Sequence, residues 1–299
     1  MDFDKQKPIL EANVVVEKED DPPVADFDTI VLSGGAAKGM CALGGLQCAE
    51  DNFLLRNVTT YIGTSVGAII CYLLAIGYKP SEIMVYICTN QLLERMKHFD
   101  VAGAMRGAGA LSFHPITEQL EKMTIAKIGH LPNLGTLNEK YDKTLVCVTY
   151  NRSSKHPVYL SHETHPDLPC LTALRMSAGL PYIFEKFKYG NSFFTDGGIC
   201  DNFALHKGEE LGKKILGIVL DEKGDDFGDI ATMKFLEELY GYLTTPISQA
   251  TEYKIANASD KCTIVRIKYA VKVFDFNLPS REKLEMFSHG YTVMATALL

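Results

Sequence analysis

The chain has 299 residues, 46% of them apolar and 22% charged, enough to bury a sizeable core and to exclude wholesale disorder. A formal net charge of −7 argues against a nucleic-acid binder, which needs a basic surface or stripe to neutralise phosphates. No apolar run approaches the roughly 18 to 20 residues that span a bilayer, and MDFDKQK does not start a signal peptide, so a soluble, intracellular chain is expected.

The charge is unevenly placed. Residues 1–28 hold nine acidic side chains against three lysines, so the remainder is nearly neutral. Residues 1–26, ending in EKEDDPPVAD, have the composition of an acidic, partly disordered arm, in which Val14 to Val16 could add an edge strand. A single domain is expected over 27–299. TIVLSGG from Thr29 reads as a buried strand, Gly34 to Gly39 as a turn, and MCALGGLQCAEDNFLL as a helix. The pattern repeats with strand TTYIGTS and the strongly apolar helix VGAIICYLLAIG. Two such units in succession imply a parallel sheet and an α/β fold. Residues 81–97 read as a helix capped by Ser81, and Ser112 to Lys127 as another with Pro115 in its first turn.

Strands are expected at 144–151 and 156–161, then a helix in PCLTALRMSAGL. EKFKYGNSFFTDGG reads as a hairpin turning at Gly190 and Asn191. Strands at 213–221 and 261–269 flank a mainly helical stretch, 230–258, and Ser280 is expected to cap a terminal helix. Eight cysteines without a C-x-x-C pair or a Cys/His cluster read as buried small hydrophobes of a reducing compartment, with no metal site.

Three segments carry chemistry. Gly63, Thr64, Ser65, Val66 and Gly67 form G-x-S-x-G between a strand and a helix, a sharp turn that would expose the serine hydroxyl at a helix N-terminus. The plainer alternative makes Ser65 an N-cap. Ser33, Gly34, Gly35, Ala36, Ala37, Lys38 and Gly39 form a second strand-to-helix loop. It fits neither common nucleotide-phosphate pattern, and the backbone N–H groups of the six residues Gly34 to Gly39 suit an oxyanion hole, with Lys38 either supporting the loop or solvated. Asp196, Gly197 and Gly198 follow an aromatic strand; the turn is a common one, but Asp196 is a better candidate base than any of the eight histidines. His289 completes a conventional Ser65, Asp196, His289 order as the alternative.

Together these segments resemble the patatin-like phospholipases, a family with a glycine-rich G-G-G-x-[KR]-G loop, a G-x-S-x-G elbow one strand later, and a downstream D-G-[GA] turn. Ser177 to Pro181, Phe184 and Asn202 add to the likeness, which covers about 29–220. Ala36 departs from it where a central glycine is usual, and Phe203 where a proline often follows the asparagine. The resemblance implies a three-layer α/β/α fold with a mainly parallel sheet, and residues 222–299, outside the likeness, read as a helical C-terminal part. It also implies a cytoplasmic lipid acyl hydrolase that visits the membrane surface and cleaves glycerophospholipid esters through a Ser65–Asp196 dyad, with no metal and no cofactor. A catalytically impaired, lipid-binding relative is the remaining alternative. Residues 102–111, with Met96 and Met105, are read as a lip beside an acyl groove or as a packed surface helix.

Overall fold

A computed structural model describes residues 26–89, 109–222, 231–271 and 278–299. The acidic arm, apart from Asp26, and most of the expected lip, with Met96 and Met105, lie outside the described residues.

The chain opens with β1 (Thr29–Leu32), a one-turn helix over Ala36–Lys38 and α1 (Gly39–Asp51), then β2 (Thr60–Thr64) and α2 (Val66–Ala75). α3 (Pro80–Thr89), α4 (His114–Ile128) and α5 (Leu134–Tyr141) follow. Next come β3 (Thr144–Asn151), β4 (His156–Leu160), α6 (Cys170–Ser177) and the hairpin β5 (Phe187–Tyr189) and β6 (Ser192–Asp196). α7 (Leu205–Leu211), β7 (Ile215–Glu222), α8 (Ala231–Ala256), β8 (Cys262–Tyr269) and α9 (Ser280–Leu298) complete the described elements.

One sheet runs in the order β5-β6-β3-β2-β1-β7-β8, with β4 also paired to β3. β3, β2, β1, β7 and β8 run parallel, β4 and β6 pair antiparallel with β3, and β5 pairs antiparallel with β6. Side chains alternate between the two faces of the sheet. Ile30 and Leu32 of β1 join the larger core, with Leu43 and Leu46 of α1, Tyr72 of α2 and Met294 of α9. Val31 and Ile62 point the other way, into a smaller core with Leu205 of α7 and Ile255 of α8. Both faces are therefore covered, which gives the expected three layers and explains why the central strands are apolar without alternation.

Several expectations at element ends are corrected. Pro80, not Ser81, starts α3, and Ser280 is the first residue of α9, with Pro279 in the capping position. α5 was not expected: Asn133 caps it by accepting the Thr136 N–H at 2.6 Å. The strand expected at 261–269 is β8, which extends the sheet, so the C-terminal part 222–299 is helical only on either side of it. Among the described residues no single helix is long and apolar enough to cross a membrane. All eight cysteines are free, and five are buried.

Candidate active site

The G-x-S-x-G turn is held together by what its glycines lack. α2 doubles back so closely on β2 that a Cβ on Gly63 would run into the backbone of Gly67 and Ala68, and one on Gly67 would lie 2.6 Å from the Ser33 carbonyl oxygen. Ser65 is left with φ 58° and ψ −125°, a conformation that costs a non-glycine residue on the order of 1–3 kcal/mol. The surroundings hold it there. The Ser65 N–H donates to Ser177 Oγ at 3.1 Å, and that hydroxyl donates to the Val148 carbonyl at 2.6 Å. The Ser65 carbonyl starts α2 by accepting from Ala68 and Ile69. Its side chain makes no capping hydrogen bond, so the N-cap alternative does not explain the serine.

Register brings Asp196 to the same place. β2 pairs with the first half of β3 as far as Thr64 opposite Val148, and β6 pairs with the second half from Asp196 opposite Thr149. β4 lies against β3 from Cys147 to Asn151, so β2 and β6 must share the other edge. One runs parallel to β3 and the other antiparallel, so their C-terminal ends meet head to head. Asp196 is fully buried there. Its Oδ1 accepts the Gly198 N–H at 2.7 Å, while Oδ2 is buried with no aligned partner among the described residues. Burial raises the carboxyl pKa to about 7, although interactions with the Ser65 hydroxyl and the Gly198 N–H pull it back down. Gly197 has no room for a Cβ above the Val148 carbonyl, which fixes the turn after the aspartate.

In the glycine-rich loop, three of the six candidate amides are already used. Gly34 N–H donates to Asn202, at 3.1 Å to Oδ1 and 3.3 Å to the carbonyl. Lys38 N–H donates to the Gly35 carbonyl at 3.0 Å, and Gly39 N–H bonds back to the carbonyls of Ala36 and Ala37. The amides of Gly35, Ala36 and Ala37 donate to no other group among the described residues, which narrows the candidate oxyanion donors to these three. Ala36 adopts φ 46°, so the residue that replaces the usual glycine keeps the glycine-like backbone conformation. Lys38 is buried, which favours support of the loop over the solvated alternative.

A cavity of about 200 Å³ opens beside Ser65. Its walls include Ala37, Val66 and Ile70 on one side and Leu120, Met123 and Phe184 on another, and they are almost entirely apolar. Charge lies behind the site instead. The buried carboxylate of Asp201 accepts from Tyr159 Oη at 2.8 Å and Lys254 Nζ at 2.6 Å, and its backbone carbonyl accepts from Thr64 Oγ1 at 3.1 Å. This network was not foreseen, since its partners lie 42 and 53 residues from Asp201 in the chain.

The alternative triad is not formed. His289 Nε2 sits 2.9 Å from the Lys268 carbonyl on the exposed side of α9, against the Tyr269 ring. It accompanies β8, three strands from β2 and therefore about 14 Å away at ordinary strand spacing. Among the described residues no histidine bonds Ser65 or Asp196, and no group of three His, Cys, Asp or Glu is placed to hold a metal ion.

Known proteins resemble this chain in sequence and fold. The model of the patatin-like phospholipase family matches residues 30–207. A probable lipid hydrolase of Invertebrate iridescent virus 6 is 34% identical over 182 residues, a match that covers 60% of this chain and 62% of that protein, less than two thirds of its length. An uncharacterized protein of Acanthamoeba polyphaga mimivirus is 25% identical over 275 residues, covering 89% of this chain and 92% of that one. VipD from Legionella pneumophila shares the fold at a TM-score of 0.54 and 16% identity, covering 91% of this chain and 67% of that chain.

Proposed function

The chain belongs to the patatin-like phospholipases, and from that premise we propose that it is a lipid acyl hydrolase of the phospholipase A or lysophospholipase type. Ser65 is the nucleophile and Asp196 its base. Oδ2 of Asp196 takes the hydroxyl proton as Ser65 Oγ attacks the ester carbonyl, and the carbonyl oxygen becomes an oxyanion held by the N–H groups of Gly35, Ala36 and Ala37. Collapse breaks the ester bond, the departing alcohol takes the proton from Asp196, and the acyl group stays on Ser65. Asp196 then removes a proton from water, which attacks the acyl-enzyme and frees the fatty acid. The acyl chain occupies the apolar cavity.

One observation carries the reading: a strained serine and a buried aspartate with pKa about 7 converge beside an apolar cavity. An ordinary aspartate is a weak base at pH 7, and burial removes that objection. Substrates are esters of glycerophospholipids met at a membrane surface, and the site is cytoplasmic. The test is release of fatty acid from phospholipid in mixed micelles, with Ser65→Ala lowering the rate by at least about 10³-fold. A Ser65→Ala protein that retains the wild-type rate contradicts the assignment.

A further inference from the structure

α4 presents Ile116, Leu120 and Met123 to the cavity beside Ser65, at the three- and four-residue spacing of one helix face. Gln119 lies inside this stripe and also lines the cavity, at a position where the pattern calls for another aliphatic side chain. Its amide nitrogen is shut off from solvent and has no hydrogen-bond partner among the described residues. A buried donor without an acceptor is destabilising, and a leucine there would avoid the cost. Ser65, Tyr86 and Gln119 are the polar side chains among the described lining residues. Ser65 has its role in the chemistry, and Tyr86 already has an interaction. Gln119 is left as a polar group facing the space assigned to an acyl chain.

We infer that the cavity selects acyl chains bearing a hydroxyl group at one depth along the chain, and that Gln119 is the residue that reads it. The inference rests on the reading of Ser65 as the acylated nucleophile. A saturated chain would leave the amide unpaired, whereas a hydroxylated chain brings its own partner. A hydroxyl both donates and accepts, so it can pair with either end of a carboxamide. The depth follows from geometry: the ester carbon is fixed at Ser65 and Gln119 is fixed on α4, so only a hydroxyl carried at the matching carbon can reach it. Sites built around a buried polar group discriminate strongly against the analogue that lacks the partner.

The test uses octadecanoate and its hydroxy positional isomers in two measurements on the full chain. In the first, Ser65→Ala protein binds the free acids in a fluorescence displacement assay. In the second, wild-type protein hydrolyses phosphatidylcholines carrying the same chains in mixed micelles. One isomer is expected to bind about tenfold tighter than octadecanoate and to be preferred by a similar factor in kcat/KM. Gln119→Leu and Gln119→Met should both bring that ratio close to one. Equal affinity for every isomer and for octadecanoate, or a preference that survives both substitutions, overturns the inference. Hydrolysis of all the esters without selectivity overturns it and leaves the proposed function standing. Selective binding without hydrolysis of any ester overturns the function and leaves the selectivity of the cavity in place.

Discussion

The two halves of the candidate site are built by opposite means. Ser65 owes its position to short-range sterics: a strand and a helix joined by one strained residue between two glycines with no room for a side chain. Asp196 owes its position to long-range assembly, in which β6 meets β2 end to end along β3 and burial, not backbone strain, prepares the carboxylate. The lesson is that a candidate nucleophile can be placed by a pentapeptide, whereas its proposed base needs the whole sheet. Damage to each half should therefore look different.

The largest effect should come from crowding the elbow. Gly67→Ala puts a methyl group 2.6 Å from the Ser33 carbonyl oxygen, a backbone atom that has little freedom to yield. A loss of about 3 kcal/mol or more, read from denaturant unfolding, is expected together with loss of activity. Near-normal stability would show that strain is not what fixes Ser65.

At the other half, activity and stability should part. The folded pKa of Asp196, about 7, is above its ordinary value of 3.8. Below about pH 4 the group is protonated in both the folded and the unfolded chain and carries no penalty. As pH rises toward 7 the unfolded chain ionises first, and the folded state loses up to about 4 kcal/mol relative to it. Asp196→Asn escapes this cost. Its unfolding midpoint should exceed that of the wild type at pH 8, by a margin that shrinks at pH 5, while hydrolysis collapses. An Asn variant no more stable than wild type at pH 8 would remove burial as the source of the basicity.

A smaller effect should follow from the network behind both halves. Lys254→Met removes one partner of the buried Asp201 carboxylate, but Tyr159 still donates and Lys254 is partly exposed, so a loss of about 2 kcal/mol is expected. Because the Asp201 backbone carbonyl holds Thr64, next to Ser65, kcat should fall more than KM rises. A stability loss with unchanged kcat would separate the network from the elbow.

The same contrast explains what could be read from the chain alone. The strand, elbow and helix around Ser65 were legible almost to the residue, because Gly63 and Gly67 answer local steric demands that the sequence states openly. The hairpin and the Asp196 turn were legible as motifs, but their meeting with β2 depends on pairing along β3 that no local pattern records. The partnership of Asp201 with Lys254 was invisible because either residue alone reads as a solvated surface charge. Lys38 was open to the same misreading. The short α5 repeats its apolar residues at Leu134, Leu137 and Tyr141, but eight residues are too few for the period to stand out, and it was missed despite its Asn133 cap. In the loop, composition pointed to six amides, and only the hydrogen bonds to Asn202, Gly35, Ala36 and Ala37 distinguish the used from the open ones.

The role of Asp196 as base to Ser65 is tested most directly by the rate of fluorophosphonate labelling as a function of pH. Wild-type labelling should rise with pH through a midpoint of about 7, and Asp196→Asn should label slowly with that rise abolished. An Asp196→Asn protein that labels with the wild-type rate and pH profile would contradict the dyad.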